Sequence, residues 1–272
     1  PEDVLEQCTG ALELPPSVAT DILFVIDDSG SMKEEQKKVV DQLQTFVANL
    51  TRAPVRNDFQ LAVVTTGVTL ATQSCSGASR ECRALDDQAG RLQRGKDLSG
   101  QVLDPASPVI LRPGGDTDAF LAQARRLLGQ GTSGSGQEMG LEAMRRALSE
   151  PLLSGPNQGL LRPGARLLVV IVSDEDDCSD PRACDDVQVR VSGSCGAPCT
   201  AQAECTGEAE YCLLVHPSDP SRGRACSLNA CETAAGRAKL EPVASYVSFL
   251  QGLDDGTNTG RRREVFLAVV GA

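Results

Sequence analysis

Four stretches of the chain are apolar without alternation: 21–27 (DILFVID), 58–67 (DFQLAVVTTG), 166–173 (RLLVVIVS) and 264–270 (EVFLAVV). Runs of this length fit strands covered on both faces, as in a parallel sheet. Between them the period changes. Residues 33–50 place Val39, Val40, Leu43, Phe46, Val47 and Leu50 three and four apart, the spacing of one helix face. Helical spacing returns over 116–128 and 137–149, which the Gly/Ser run GQGTSGSG separates, and over 233–253 despite Pro242. From Val68 to Gly115, Gly, Ser, Asp and Pro punctuate a loop-rich stretch with a hairpin predicted near Cys75–Cys82. Strands alternating with helices predict the α/β class: a doubly wound, mostly parallel, Rossmann-like sheet with helices on both faces. In such sheets ligands bind outside the carboxyl ends of the strands, so the residues that follow each strand carry the functional information.

Charge narrows the function. The 272 residues hold 26 Lys+Arg against 37 Asp+Glu, a net charge of −11, the wrong sign for nucleic acid or anionic lipid. No run of about 18 apolar residues occurs, so no segment is predicted to span a membrane. Aromatic residues make up only 3%, which leaves the core to Leu, Val, Ile and Ala. Arg outnumbers Lys 21 to 5, a bias of GC-rich genomes that points to a bacterial source.

The cysteines alter the domain picture. Of the 11, eight lie between Cys178 and Cys231, and the run from Cys195 has intervals of 3, 5, 6, 13 and 4 residues. Zinc modules favour paired two-residue spacings, which are missing here. The segment is predicted to be a small disulfide-stapled insertion with little helix or strand of its own, in an extracytoplasmic, oxidising compartment. The expected division is an N-terminal extension at 1–20, a sheet domain over 21–177 and 232–272, and the insertion at 178–231. A Cys75–Cys82 bridge and four bridges within 178–231 are expected, the pairing among the eight being open.

Candidate chemistry gathers at the predicted carboxyl edge. The first strand is followed by Asp27-Asp28-Ser29-Gly30-Ser31. Ser31 to Glu34 also suits a helix capping box. Two more loops reach the same edge: Gly131-Thr132-Ser133-Gly134, and Ser173-Asp174 at the end of the strongest strand. Together they offer hydroxyls and carboxylates around one point, the oxygen set that a hard dication prefers. Residues 174–186 contain seven acids and one Arg, so the acidity is concentrated there. That stretch reads either as a solvated acidic loop or as a second cation site, a Ca2+ ion held by Asp176, Asp177 or Asp180.

Asp27-x-Ser29-x-Ser31 after an apolar strand, with Thr132 and Asp174 downstream, resembles the von Willebrand factor A family, which includes the integrin inserted domains. The motif is similar to that family's metal-ion-dependent adhesion site. The likeness covers the order of elements over about residues 20–272, with the Cys-rich segment as an insertion. Asp-Glu-Asp-Asp-Cys-Ser at 174–179 is similar to secreted bacterial members. The resemblance implies that Ser29, Ser31 and Thr132 bind a divalent metal directly, while Asp27 and Asp174 hold it largely through water. Mg2+ is the default ion, with Mn2+ or Ca2+ as alternatives. It also implies a partner, protein or another surface ligand, that offers a carboxylate to the last position on the metal.

The competing reading is a magnesium-dependent phosphohydrolase of haloacid-dehalogenase type, with Asp27 as nucleophile and Asp174 or Asp176 on the metal. That chemistry needs a second Asp two residues after the first, and Ser29 stands there. His216, the only histidine, lies before Pro217 in the Cys-rich segment with no nucleophile placed beside it. Gly131–Gly136 has the order Gly-x-x-Gly-x-Gly, which is not the dinucleotide fingerprint. The sequon Asn49-Leu50-Thr51 falls in a predicted helix. The family's further strand and closing helix have no counterpart after EVFLAVV, and Cys8 is left over from the cysteine groupings. The sequence therefore predicts a fragment of a longer surface protein, with Cys8 paired beyond Ala272.

Overall fold

The computed structural model describes residues 19–33, 35–52, 58–71, 82–84, 88–136, 138–179, 200–204, 211–214, 224–227 and 240–271. Cys8, Cys75, Asp180 and His216 lie outside them, and with them the expectations for the N-terminal extension and for most cysteine pairings. The described elements are, in chain order, β1 (Thr20–Ile26), α1 (Glu35–Arg52), β2 (Phe59–Thr65), β3 (Thr69–Ala71), β4 (Cys82–Ala84), β5 (Ile110–Leu111), α2 (Thr117–Leu128), α3 (Gly140–Ala147), β6 (Arg166–Ser173), β7 (Tyr211–Leu214), β8 (Arg224–Ser227), α4 (Val243–Gly252) and β9 (Val265–Gly271).

Five strands form one sheet in the order β5-β2-β1-β6-β9. β1 runs parallel to β2 and β6, β6 runs parallel to β9, and only the two-residue edge strand β5 is antiparallel. The chain thus has the predicted α/β, mostly parallel, doubly wound architecture. The apolar runs are continuous because alternate residues serve opposite cores. Leu23, Val25, Val169 and Ile171 pack on one face with α3 and α4, through Met144, Ala147, Tyr246 and Leu250. Ile22, Phe24, Ile26 and Val172 pack on the other with α1 and α2, through Val47, Phe120 and Leu128. All of Ile22 to Ile26 are at most 2% exposed. Fully burying side chains of this size contributes about 1.5–3 kcal/mol each before entropy is subtracted.

Of the helix predicted over 233–253, the part observed is α4, which starts immediately after Pro242; residues 240–242 are not helical, and 233–239 lie outside the described residues. Proline suits a helix start because its missing N–H would have no partner there. The predicted hairpin is present as β3 paired antiparallel with β4, Ala71 opposite Cys82. Within the Cys-rich segment, β7 and β8 form a two-stranded sheet that the sequence did not predict, with Cys212 opposite Cys226. At the segment's start Cys178 is disulfide-bonded.

Candidate metal-binding site at the carboxyl edge of the sheet

β1 ends on its buried apolar run, and the chain turns as Asp27 emerges at the carboxyl edge. The turn is local: the Ser29 amide donates to Asp27 Oδ1 at 2.8 Å, an aspartate-capped reversal that sets up a short 3-10 turn at Ser31–Lys33. Ser29 Oγ and Ser31 Oγ are hydrogen-bonded at 2.8 Å, and Ser31 Oγ donates to Asp174 Oδ1 at 3.2 Å. Asp174 follows β6, whose last residue, Ser173, donates its hydroxyl to Asp27 Oδ2 at 2.6 Å. The sequence-predicted residues Asp27, Ser29, Ser31 and Asp174 therefore form one connected cluster. Asp27 and Ser29 are at most 2% exposed.

The Gly/Ser loop reaches this cluster by a different residue from the one expected. The Gly134 amide donates to the Asp28 carbonyl at 2.6 Å. A side chain at Gly134 would strike the Asp28 carboxylate, so only glycine allows the loop so close. The Thr132 hydroxyl donates instead to the Leu98 carbonyl at 3.4 Å.

Asp177 is the N-terminal cap of α3, supplied from another segment. Its Oδ1 accepts from the Leu141 amide at 2.9 Å, and its Oδ2 from the Ser179 amide at 3.0 Å. Burial raises its carboxyl above the ordinary range, against the amide and hydroxyl hydrogen bonds from Leu141, Ser179 and Gly140. Asp176 is exposed at the rim, and Asp180 lies outside the described residues.

Two residues of the site were given no role of their own from the sequence. Ser173 ties β6 to Asp27, as above. Glu138 is 2% exposed, and its Oε1 accepts no hydrogen bond. Burial pushes its carboxyl up to about 9, and the negative charges of Asp27 and Glu175 add to the rise. In sequence Glu138 looks like an acid in the first turn of the helix over 137–149. The helix instead starts at Gly140, and Glu138 lies before it. For Asp27 too, burial is the largest cause of an upward shift; Asp174 adds to it, while the hydrogen bonds from Ser173 and Ser29 oppose it.

Glu138, Ser173, Asp174, Glu175 and Asp176 line a cleft of about 440 Å3, walled on its other side by Val243, Leu267 and Val269. Among the described residues no three Asp, Glu, His or Cys side chains cluster closely enough to hold an ion by themselves. A metal here would be held by mixed hydroxyl and carboxylate oxygens, a hard donor set that suits Mg2+, Mn2+ or Ca2+. Ser29, Ser31, Asp174 and Asp27 fit that requirement in type and connection.

No family model matches the sequence, and no curated protein does. Among solved structures, proximal thread matrix protein 1 from the mussel byssus is similar at 15% identity over 65% of this chain and 35% of that one, with a TM-score of 0.33. The same protein with a zinc-occupied MIDAS motif gives 15% identity, 65% and 36% coverage and a TM-score of 0.32. The pilus adhesin SpaC from Lactobacillus rhamnosus GG gives 11% identity over 92% of this chain and 28% of that one, with a TM-score of 0.35. The chain thus spans 28% to 36% of the length of these proteins. Likenesses this distant leave the fold resting on the sheet topology itself.

Proposed function

We propose that the chain is an extracytoplasmic binding module of the von Willebrand factor A type, which captures an acidic group of a partner through a divalent metal. The observation that carries this reading is the hydrogen-bonded series Asp27–Ser29–Ser31–Asp174 at the carboxyl edge of a parallel sheet. Ser29 and Ser31 would bind the ion, with Asp27 and Asp174 in support; Thr132, expected as a third hydroxyl ligand, would have to turn from Leu98 to reach it. A dication in that setting supplies an electrophilic position for a partner's carboxylate. Ser173 fixes the orientation of Asp27, and Gly134 keeps the neighbouring loop closed against Asp28.

The reading is of a binder rather than a catalyst. Phosphoryl transfer to Asp27 would need an acid two residues on, and the residue there is Ser29, whose hydroxyl is engaged with Ser31. The disulfide at Cys178 supports an oxidising location. Among the described residues no helix is long and apolar enough to cross a membrane. A second cation at Asp176, Asp177 or Asp180 draws no support from Asp177, whose two oxygens already serve α3 and Ser179.

The test is capture of bacterial surface proteins on the immobilised chain, in Mg2+ and in excess chelator, beside Ser29→Ala. Capture that needs Mg2+ and disappears in Ser29→Ala is expected. Capture equal in chelator and in Ser29→Ala would sink the proposal.

A further inference from the structure

We propose that Glu138, with the Thr66 hydroxyl beside it, is the group through which the 131–140 segment serves the ion, as an outer acceptor for metal-bound water in place of the direct hydroxyl ligand expected at Thr132. This rests on the metal-binding reading above. Three features of Glu138 carry it.

The first is placement. In the parallel register Ile26 faces Thr65 on one side and Val172 on the other. One residue further on, Thr66, Asp27 and Ser173 stand in a row across the carboxyl edge, on the side of the sheet that carries α3. Glu138 is clamped over this row by its backbone: its carbonyl accepts from the Cys178 amide at 2.7 Å, and the next amide, of Met139, donates to the Thr66 carbonyl at 3.1 Å. Anchored to the residue after β2 and to Cys178, in the segment that follows β6, it has little freedom to leave.

The second is unused bonding capacity. Glu138 and Thr66 are 2% and 0% exposed, and although the Glu138 carboxyl shares a hydrogen bond with Glu175, its Oε1 has no hydrogen-bond partner, nor has Thr66 Oγ1. A buried acceptor left without a donor costs about 1–3 kcal/mol. Two such atoms lining one cleft indicate a partner that comes from outside the chain. The third is contrast with Thr132, whose hydroxyl faces Leu98.

Among the described residues the acids here are not gathered tightly enough to ligate an ion by themselves. Glu138 therefore acts one layer out, accepting a hydrogen bond from water on the metal while Thr66 holds the same water. Outer groups of this kind typically change metal affinity by about 10–100-fold.

The test is titration calorimetry with Mn2+ alone on the full chain, comparing wild type, Glu138→Gln, Thr66→Val, Thr132→Val and Asp27→Ala. Glu138→Gln should weaken Mn2+ binding at least about tenfold and Thr66→Val about threefold, while Thr132→Val stays within about twofold. Melting of the same proteins in chelator separates this from a structural role. Glu138→Gln should melt no lower than wild type, whereas a residue needed for folding would melt lower. Loss of Mn2+ binding in Thr132→Val and Asp27→Ala with wild-type affinity in Glu138→Gln would overturn the inference and leave the metal site standing. A wild-type chain that binds no Mn2+ would overturn both.

Discussion

A fully buried aspartate stands at each end of β1, Asp21 as its second residue and Asp27 just after its last, and the two ends are built on opposite principles. Asp21, at the amino edge, is 0% exposed and paired: Arg162 Nε lies 2.6 Å from one oxygen, the Arg162 amide donates to the other at 2.7 Å, and Arg263 stands 3.8 Å away. Asp27, at the carboxyl edge, is equally buried and is met by a serine amide and a serine hydroxyl, with the charge of Asp174 pushing its carboxyl further up. The contrast recurs four residues apart in the 138–142 segment. Glu142 is held by Arg145 and Arg146 at 2.5 and 2.8 Å, whereas the charges acting on Glu138 are those of other acids. One end of the sheet satisfies its buried charge with the chain's own cations and is built for stability. The other concentrates hydroxyl and carboxylate oxygens and negative charge without cations of its own, the setting that the proposed function assigns to a divalent ion.

The largest effect should come from the amino edge. Asp21→Ala leaves Arg162 and Arg263 facing a buried gap and should cost about 3–5 kcal/mol in denaturant unfolding. A loss below about 1 kcal/mol would mean that the arginines are solvated there and that the contrast between the edges is false.

Asp177→Ala comes next, because it removes the cap of α3. A loss of about 1–2 kcal/mol is expected, with Mg2+ affinity retained. Lost Mg2+ binding with unchanged stability would move Asp177 from cap to ligand.

Titration sharpens the comparison at Glu138. In the metal-free chain its folded carboxyl keeps a proton up to about 9, while in the unfolded chain it ionises near 4.5. Stability is fully present below the lower value and is lost as pH rises toward the higher one. In chelator, wild type should melt at progressively lower temperature across that interval, and Glu138→Gln should flatten the decline. An identical slope in the two proteins would place Glu138 in an ordinary, hydrated setting.

The smallest effect should be that of Asp27→Asn on the metal-free chain. Neutralising a carboxyl already raised by burial and by Asp174 should change stability by no more than about 1 kcal/mol, far less than at Asp21. A loss as large as that of Asp21→Ala would show Asp27 to be structural.

Much of this was legible in the sequence, for a physical reason. A parallel strand buried on both faces must be apolar throughout, so 166–173 reads directly as β6, and 21–27 and 264–270 match β1 and β9 within one residue. Asp27, Ser29, Ser31 and Asp174 could be found because they follow such strands. Short or irregular backbone hid the rest. β5 has two residues and no periodicity to detect. The direction of Thr132 depends on the irregular loop that carries Leu98. Glu138 shares its sequence setting with any acid at a helix start; its placement is decided by Thr66 and Cys178, far away in the chain.

The central claim, that the carboxyl edge holds a divalent ion on the oxygens of the Asp27–Ser31 turn and Asp174, is tested most directly by anomalous diffraction from crystals grown in Mn2+. One manganese peak within bonding distance of Ser29 Oγ and Ser31 Oγ, beside Asp27 and Asp174, is the predicted result. Ordered density for those four side chains with no manganese among them, or manganese bound instead at Asp176 and Asp177, would contradict it.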